Sequence, residues 1–155
     1  MTARRRRFLV LALLATAGWL WFIFACSAQP ADVSTRESDW ALELVRIIQP
    51  RMSSIAIRKL AHFLEFFILG SMLWTDWRLL GRGTVFLPLS AGLLCAALDE
   101  FLQTFVSGRA GQLTDVLIDF SGVVLATLLL CLLLRCRRWR RASKQRRAVQ
   151  SCAED

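Results

Sequence analysis

The chain has 155 residues, is 55% hydrophobic and carries a formal net charge of +8. A mean hydropathy of +0.46 is too high for a soluble domain of this length. The positive charge is gathered at the two termini beside apolar runs, which argues against a nucleic-acid-binding face and matches the way Lys and Arg flank membrane spans.

Residues 1–28 form the first segment. Arg4-Arg5-Arg6-Arg7 precedes an apolar run from Phe8 to about Ala28, close to the ~20 residues that cross a hydrocarbon core of ~30 Å. A retained transmembrane helix with its N-terminus inside is the expected reading. Ile23-Phe24-Ala25-Cys26 loosely resembles a lipobox and Arg5-Arg6-Arg7-Phe8-Leu9 partly mimics a twin-arginine signal, so a lipoprotein signal and a cleaved signal peptide are the alternatives. All three leave residue 29 onwards outside the cytoplasm.

Residues 29–53 form a polar extracytoplasmic loop bounded within by Pro30 and Pro50. Ser34–Gln49 is predicted to be an amphipathic surface helix: Ser34 and Glu37 make a capping box, and Trp40, Leu44, Ile47 and Ile48 line one face. Residues 54–134 hold three further spans, predicted at Ser53–Trp77, Thr84–Phe105 and Leu113–Leu134. Asp76 to Gly83 is expected to be a cytoplasmic loop containing Arg78 and Arg82. Gly92-x-x-x-Ala96 and Gly122-x-x-x-Ala126 offer close helix approach. Residues 135–155 form a basic tail, a topology anchor suited to anionic headgroups. The cysteines (Cys26, Cys95, Cys131, Cys136 and Cys152) lack CxxC spacing and read as small buried hydrophobes rather than a disulfide framework or zinc site. The expected fold is an all-α integral membrane four-helix bundle with both termini cytoplasmic, since most Lys and Arg residues then lie inside.

Alternating spans bring together what the linear sequence separates. Arg58, Lys59, His62 and Glu65 lie early in the second span, Asp99, Glu100 and Gln103 late in the third, Arg109 in the following turn, and Asp115 and Asp119 early in the fourth. All ten fall at one outer level. Ionisable groups at membrane depth cost about 2.5–3.5 kcal/mol each on insertion scales and by default mark function. The inner halves are expected to be nearly free of them, which leaves no carboxylate relay across the bilayer and argues against a proton-coupled carrier.

These residues also carry a resemblance. Arg58-Lys59-x-x-His62-Phe63-x-x-Phe66, Asp99-Glu100-x-x-Gln103-x-Phe105-x-x-x-Arg109 and Asp115-Val116-x-x-x-x-x-Gly122 together resemble the VanZ-like family over about residues 55–130. The family pattern usually has Asn at the position of Asp119 and commonly Tyr at Glu65 or Phe66, so this chain is more acidic. The resemblance implies a small multi-pass protein of the bacterial inner (cytoplasmic) membrane, associated with low-level teicoplanin resistance.

On chemistry alone, Asp99, Glu100, Asp115 and Asp119 with His62 could hold Mg2+, Mn2+ or Ca2+. Arg58, Lys59 and Arg109 could receive a phosphate or carboxylate. The expected partner is an outer-leaflet membrane lipid or a lipid-linked cell-wall precursor. The alternative is a divalent-metal-dependent hydrolase or transferase acting on a lipid-linked phosphate. A purely structural reading pairs Glu65 or Glu100 with Arg109 and Asp115 with Arg58 or Lys59, with Asp115 serving partly as an N-cap.

Overall fold

A computed structural model describes residues 3–30, 43, 53–81 and 83–154. In chain order the helices are α1 (Ala3–Ser27), α2 (Ser54–Leu79), α3 (Phe86–Gln103) and α4 (Leu113–Glu154), and no strand occurs among the described residues. The amphipathic helix expected over Ser34–Gln49 falls, but for Glu43, outside the described residues.

Three of the helices, α1, α3 and α4, are long and apolar enough to cross a membrane. At 26 residues α2 has the length, about 39 Å, but Arg58, Lys59, His62, Glu65, Asp76 and Arg78 interrupt its hydropathy. Packing places it among the others: α2 makes its most extensive contact with α4 and also packs on α1 and α3. The Ser53 hydroxyl caps its first turn by accepting from the Ala56 N–H.

Each helix runs opposite to the one before. At one end the Arg5 guanidinium donates to the Leu79 carbonyl at 2.9 and 3.2 Å, tying the start of α1 to the finish of α2. At the other end Ser27 Oγ donates to Asp99 Oδ2 at 2.8 Å, and Lys59 Nζ meets Asp115 Oδ1 at 2.5 Å. One end of the bundle therefore holds the Arg4–Arg7 block, and the other holds Asp99 and Asp115.

Between the ends lies a core of Ile23, Phe66, Leu69, Ala96 and Val123. Val123 of α4 is its knob. A Cβ on Gly70 of α2 would lie 2.7 Å from Val123 Cα, and one on Gly92 of α3 would press into the Val123 side chain. At the residue before Val123 the relation reverses: a Cβ on Gly122 would run into the Phe63 carbonyl and the Phe67 N–H of α2. Small residues let the backbones touch, which is the main source of helix association where lipid removes the hydrophobic drive. Ala96 and Ala126, four residues after Gly92 and Gly122, are fully buried, as the small-residue spacing predicted. Outward-facing Leu14, Trp21, Phe86 and Leu128 are exposed and form an apolar sleeve suited to acyl chains.

The structure corrects three helix limits. First, α2 continues past Trp77 to Leu79, so the expected Asp76–Gly83 loop is helical over its first four residues. No Gly or Pro occurs between Gly70 and Gly81, whose φ of 83° turns the chain. Asp76 is buried at 6% exposure and Oδ2 accepts from the Thr16 hydroxyl of α1 at 2.7 Å. The far half of the bundle thus does contain a buried carboxylate, about 21 Å along α2 from His62. Second, α3 is shorter than expected at each end and closes in tight turns, with Thr104 N and Phe105 N donating to Phe101 O and Leu102 O. Third, α4 does not stop at Leu134. It spans 42 residues because the basic stretch is rich in helix-forming Arg, Lys, Gln and Ala and contains no Gly or Pro.

If backbone contact at Gly122 holds α2 to α4, Gly122→Leu will lower stability by about 1–3 kcal/mol through overpacking. Gly18, with nothing within 4 Å of its Cβ position, is the control: Gly18→Leu will not destabilise. Thermal unfolding of the two variants in the same detergent is the measurement.

Candidate functional site

The acidic end of the bundle holds a cavity of about 410 Å³ between the start of α2, the start of α4 and the turn that joins α3 to α4. That turn reverses at Gly108, whose φ of 75° favours glycine. Of the ten residues expected at the site, Arg58, Lys59, His62, Gln103, Arg109, Asp115 and Asp119 line this cavity. Asp99, Glu65 and Glu100 do not line it, but all three sit against its walls through the contacts below.

The floor is a carboxylate–imidazole cluster. His62 Nδ1 lies 4.0 Å from Asp99 Oδ2, from Asp119 Oδ1 and from Glu65 Oε2. Asp99 and Asp119 are buried at 0% and 1% exposure. Asp99 Oδ2 is held by Ser27 Oγ at 2.8 Å and Gln103 Nε2 at 3.0 Å. Asp99 Oδ1, both Asp119 oxygens and His62 Nδ1 have no hydrogen-bond partner. Glu65 stands one turn beyond His62, and its own carbonyl accepts from the Trp19 indole of α1 at 3.0 Å, which seats α1 against this level of α2.

The rim is basic. Lys59 pairs with Asp115, one of the two pairings that the structural reading allowed. Asp115 is not the N-cap of α4. It sits in the first turn, two residues inside the helix, where a carboxylate still meets the positive end of the helix dipole. Arg109 pairs with neither Glu65 nor Glu100. Its Nη1 donates to the Ser27 carbonyl at 3.3 Å, and its Nε is buried without a partner. Burial, then the Arg58 charge, pulls the Arg109 pKa down, while Asp99 and Glu100 hold it up. Glu100 instead accepts from the Gln112 N–H at 2.8 Å, bracing the turn. A Cβ on Gly111 would meet the Glu100 carbonyl, so the turn lies directly on the end of α3.

Two residues of this constellation escaped the sequence. Ser27 joins α1 to the site twice, by its hydroxyl on Asp99 and its carbonyl on Arg109. Its signal was slight: a small polar residue at the outer end of an apolar run. Gln112 contributes only a main-chain N–H, which no side-chain pattern encodes. Gln103 makes no cross-helix hydrogen bond among the described residues; it serves Asp99 of its own helix, four residues back.

Ser27→Ala removes one of the two donors to a buried carboxylate. It will destabilise by about 1–3 kcal/mol, read as a shift in the denaturant midpoint of the purified protein, whereas Ser90→Ala, at an exposed hydroxyl that only returns to its own helix, will not.

A family model described as VanZ/LLP1 matches residues 11–135, from inside α1 to the first basic residue of α4. No curated protein and no solved structure matches the chain. The match takes in every residue of the cavity and the cluster beneath it, and the chain is therefore a multi-pass membrane protein that belongs to the VanZ/LLP1 family.

Proposed function

We propose that this protein binds the anionic headgroup of an outer-leaflet lipid, or of a lipid-linked cell-wall precursor, in the cavity at the acidic end of the bundle. By occupying that headgroup it alters susceptibility to glycopeptides of the teicoplanin kind. The observation that supports the reading is the state of two rim cations. Among the described residues neither Arg58 nor Arg109 forms an ion pair, and Arg109 keeps a buried N–H without an acceptor. A guanidinium in that condition gains charge-assisted hydrogen bonds from a phosphate or carboxylate, with two-pronged geometry available. The cavity opens beside exposed Ile55 on α2, so a headgroup could enter while its tails stay in lipid.

The membrane orientation belongs to the same proposal. Arg4–Arg7, Arg78 and the basic end of α4 lie at the opposite end from the cavity, and positive charge favours the cytoplasmic side. The cavity then faces outward from the cytoplasmic membrane of a bacterium.

Each part has its own experiment. Binding of a polyprenyl phosphate to protein in detergent, followed by native mass spectrometry, will weaken about tenfold or more in Arg109→Gln, since a hydrogen bond to a charged group contributes about 1.5–3 kcal/mol and about 1.4 kcal/mol is tenfold. Arg137→Gln, at the far end, will bind as the parent does, and at equal abundance only Arg109→Gln will abolish an effect on teicoplanin susceptibility. Equal retention of the phosphate by both variants would sink the headgroup reading. For orientation, a membrane-impermeant maleimide applied to intact cells will label Ala110→Cys, an exposed position, and spare the exposed Cys136 until the cells are opened.

A further inference from the structure

We infer that the floor of the cavity is a binding site for a single divalent cation, held by His62 Nδ1, Asp99 and Asp119. The site stands on the cluster's own geometry and does not depend on which headgroup, if any, the rim receives.

The first observation is convergence. Three ligand atoms from three different helices, one each from His62, Asp99 and Asp119, lie within 4.8 Å of one another. The imidazole nitrogen is 4.0 Å from an oxygen of each aspartate. These separations are too long for hydrogen bonds. With the imidazole nitrogen 4.0 Å from each aspartate and the three atoms within 4.8 Å of one another, the point equidistant from them lies no more than about 2.5 Å from each, within reach of bonds from oxygen to a divalent cation.

The second observation is independent of spacing. Asp119 is 1% exposed, and neither of its oxygens has a hydrogen-bond partner. A buried carboxylate in that condition has lost its water and gained nothing in return. His62 Nδ1 and Asp99 Oδ1 are unpartnered in the same way. A bound cation would satisfy the unpartnered His62 nitrogen and Asp119 carboxylate together with a carboxylate oxygen of Asp99. Other carboxylates have at least one partner each: Asp76 Oδ2 has Thr16, Glu100 has the Gln112 N–H and Asp115 has Lys59, whereas neither oxygen of Asp119 has any.

The donor set narrows the ion. Two carboxylates and one imidazole form a mostly hard oxygen site with one nitrogen, which suits Mn2+ better than Ca2+ or a thiolate-seeking metal. The surroundings also fit. Ser27 and Gln103 both donate to Asp99 Oδ2, the oxygen 4.0 Å from His62 Nδ1, orienting the carboxylate as outer hydrogen bonds orient metal-binding carboxylates. The cavity supplies an entry path and room for waters to complete the coordination. Compared with the sequence-based set, Glu100 and Asp115 drop out because each already has a partner turned away from the floor.

The test uses Mn2+ alone, on full-length protein in detergent with no phosphate or added lipid. Loss of the free Mn2+ paramagnetic resonance signal will report about one ion per chain, and saturating Mn2+ will raise the thermal unfolding midpoint. Asp119→Asn preserves shape and will weaken binding at least about 100-fold, beyond the about 10–100-fold that outer-shell changes cost, and will abolish the thermal shift. His62→Ala will do the same, which keeps the test open if Asp119→Asn does not fold. Asp76→Asn, at the other end of the bundle, will bind as the parent does, and Arg109→Gln will still bind Mn2+ even where it has lost the phosphate. No binding by the parent protein, with a midpoint indifferent to Mn2+, would overturn the inference and leave the cluster as carboxyl groups sharing protons. Binding that survives undiminished in both Asp119→Asn and His62→Ala would overturn it too, by placing the ion elsewhere.

Discussion

Contact between two helix backbones governs this molecule. Gly122 of α4 lies on the Phe63 carbonyl of α2, and Gly70 of α2 lies on Val123 of α4. With no side chain between them, the two helices share one register, and that register fixes the acidic end. Asp119 stands one turn before Gly122 or nearly so, and His62 is next to Phe63. The approach that seats Gly122 therefore also brings Asp119 Oδ1 to 4.0 Å from His62 Nδ1. A wider interface would separate imidazole from carboxylate and open the floor of the cavity to lipid.

Burial makes the arrangement consequential. In water, neighbouring carboxylates are screened and each keeps its hydration. Here Asp99 and Asp119 are sealed beneath the rim, where unscreened charge interactions strengthen and a missing hydrogen bond is costly. The protein places neutral donors, Ser27 and Gln103, on one face of Asp99 only. The rim cations lie above: Lys59 is matched by Asp115, and Arg109 rests on a main-chain carbonyl. The result is a graded site, acidic and buried at depth, basic and more exposed at the mouth.

Much of this was legible in the chain. The helix count, the alternating direction and the gathering of ten polar residues at one end follow from apolar runs and the positions of charges within them, because a span that must cross a membrane leaves little freedom in level. Rotation about each helix axis is another matter. Asp99 and Glu100 are neighbours in sequence but about 100° apart around α3, so one faces α1 and α2 while the other braces the turn before α4. Nothing in the composition distinguishes them; the packing of Gly92 against Val123 does. Likewise Asp76 resembled a loop residue because Trp77 and Arg78 follow it, yet helical continuity carries it inward to Thr16. Ser27 was invisible for the converse reason: a lone serine in an apolar helix ordinarily returns its hydroxyl to its own backbone.

The unbroken length of α4 gives the molecule a mechanical character. Gly122 acts as a fulcrum: about 10 Å of helix lies between it and Asp115, and about 20 Å between it and Arg135, at 1.5 Å per residue. A stiff rod pivoting there couples its two arms. For a straight helix held at Gly122, a displacement of the Asp115 end would be matched by an opposite one of about twice the size at Arg135.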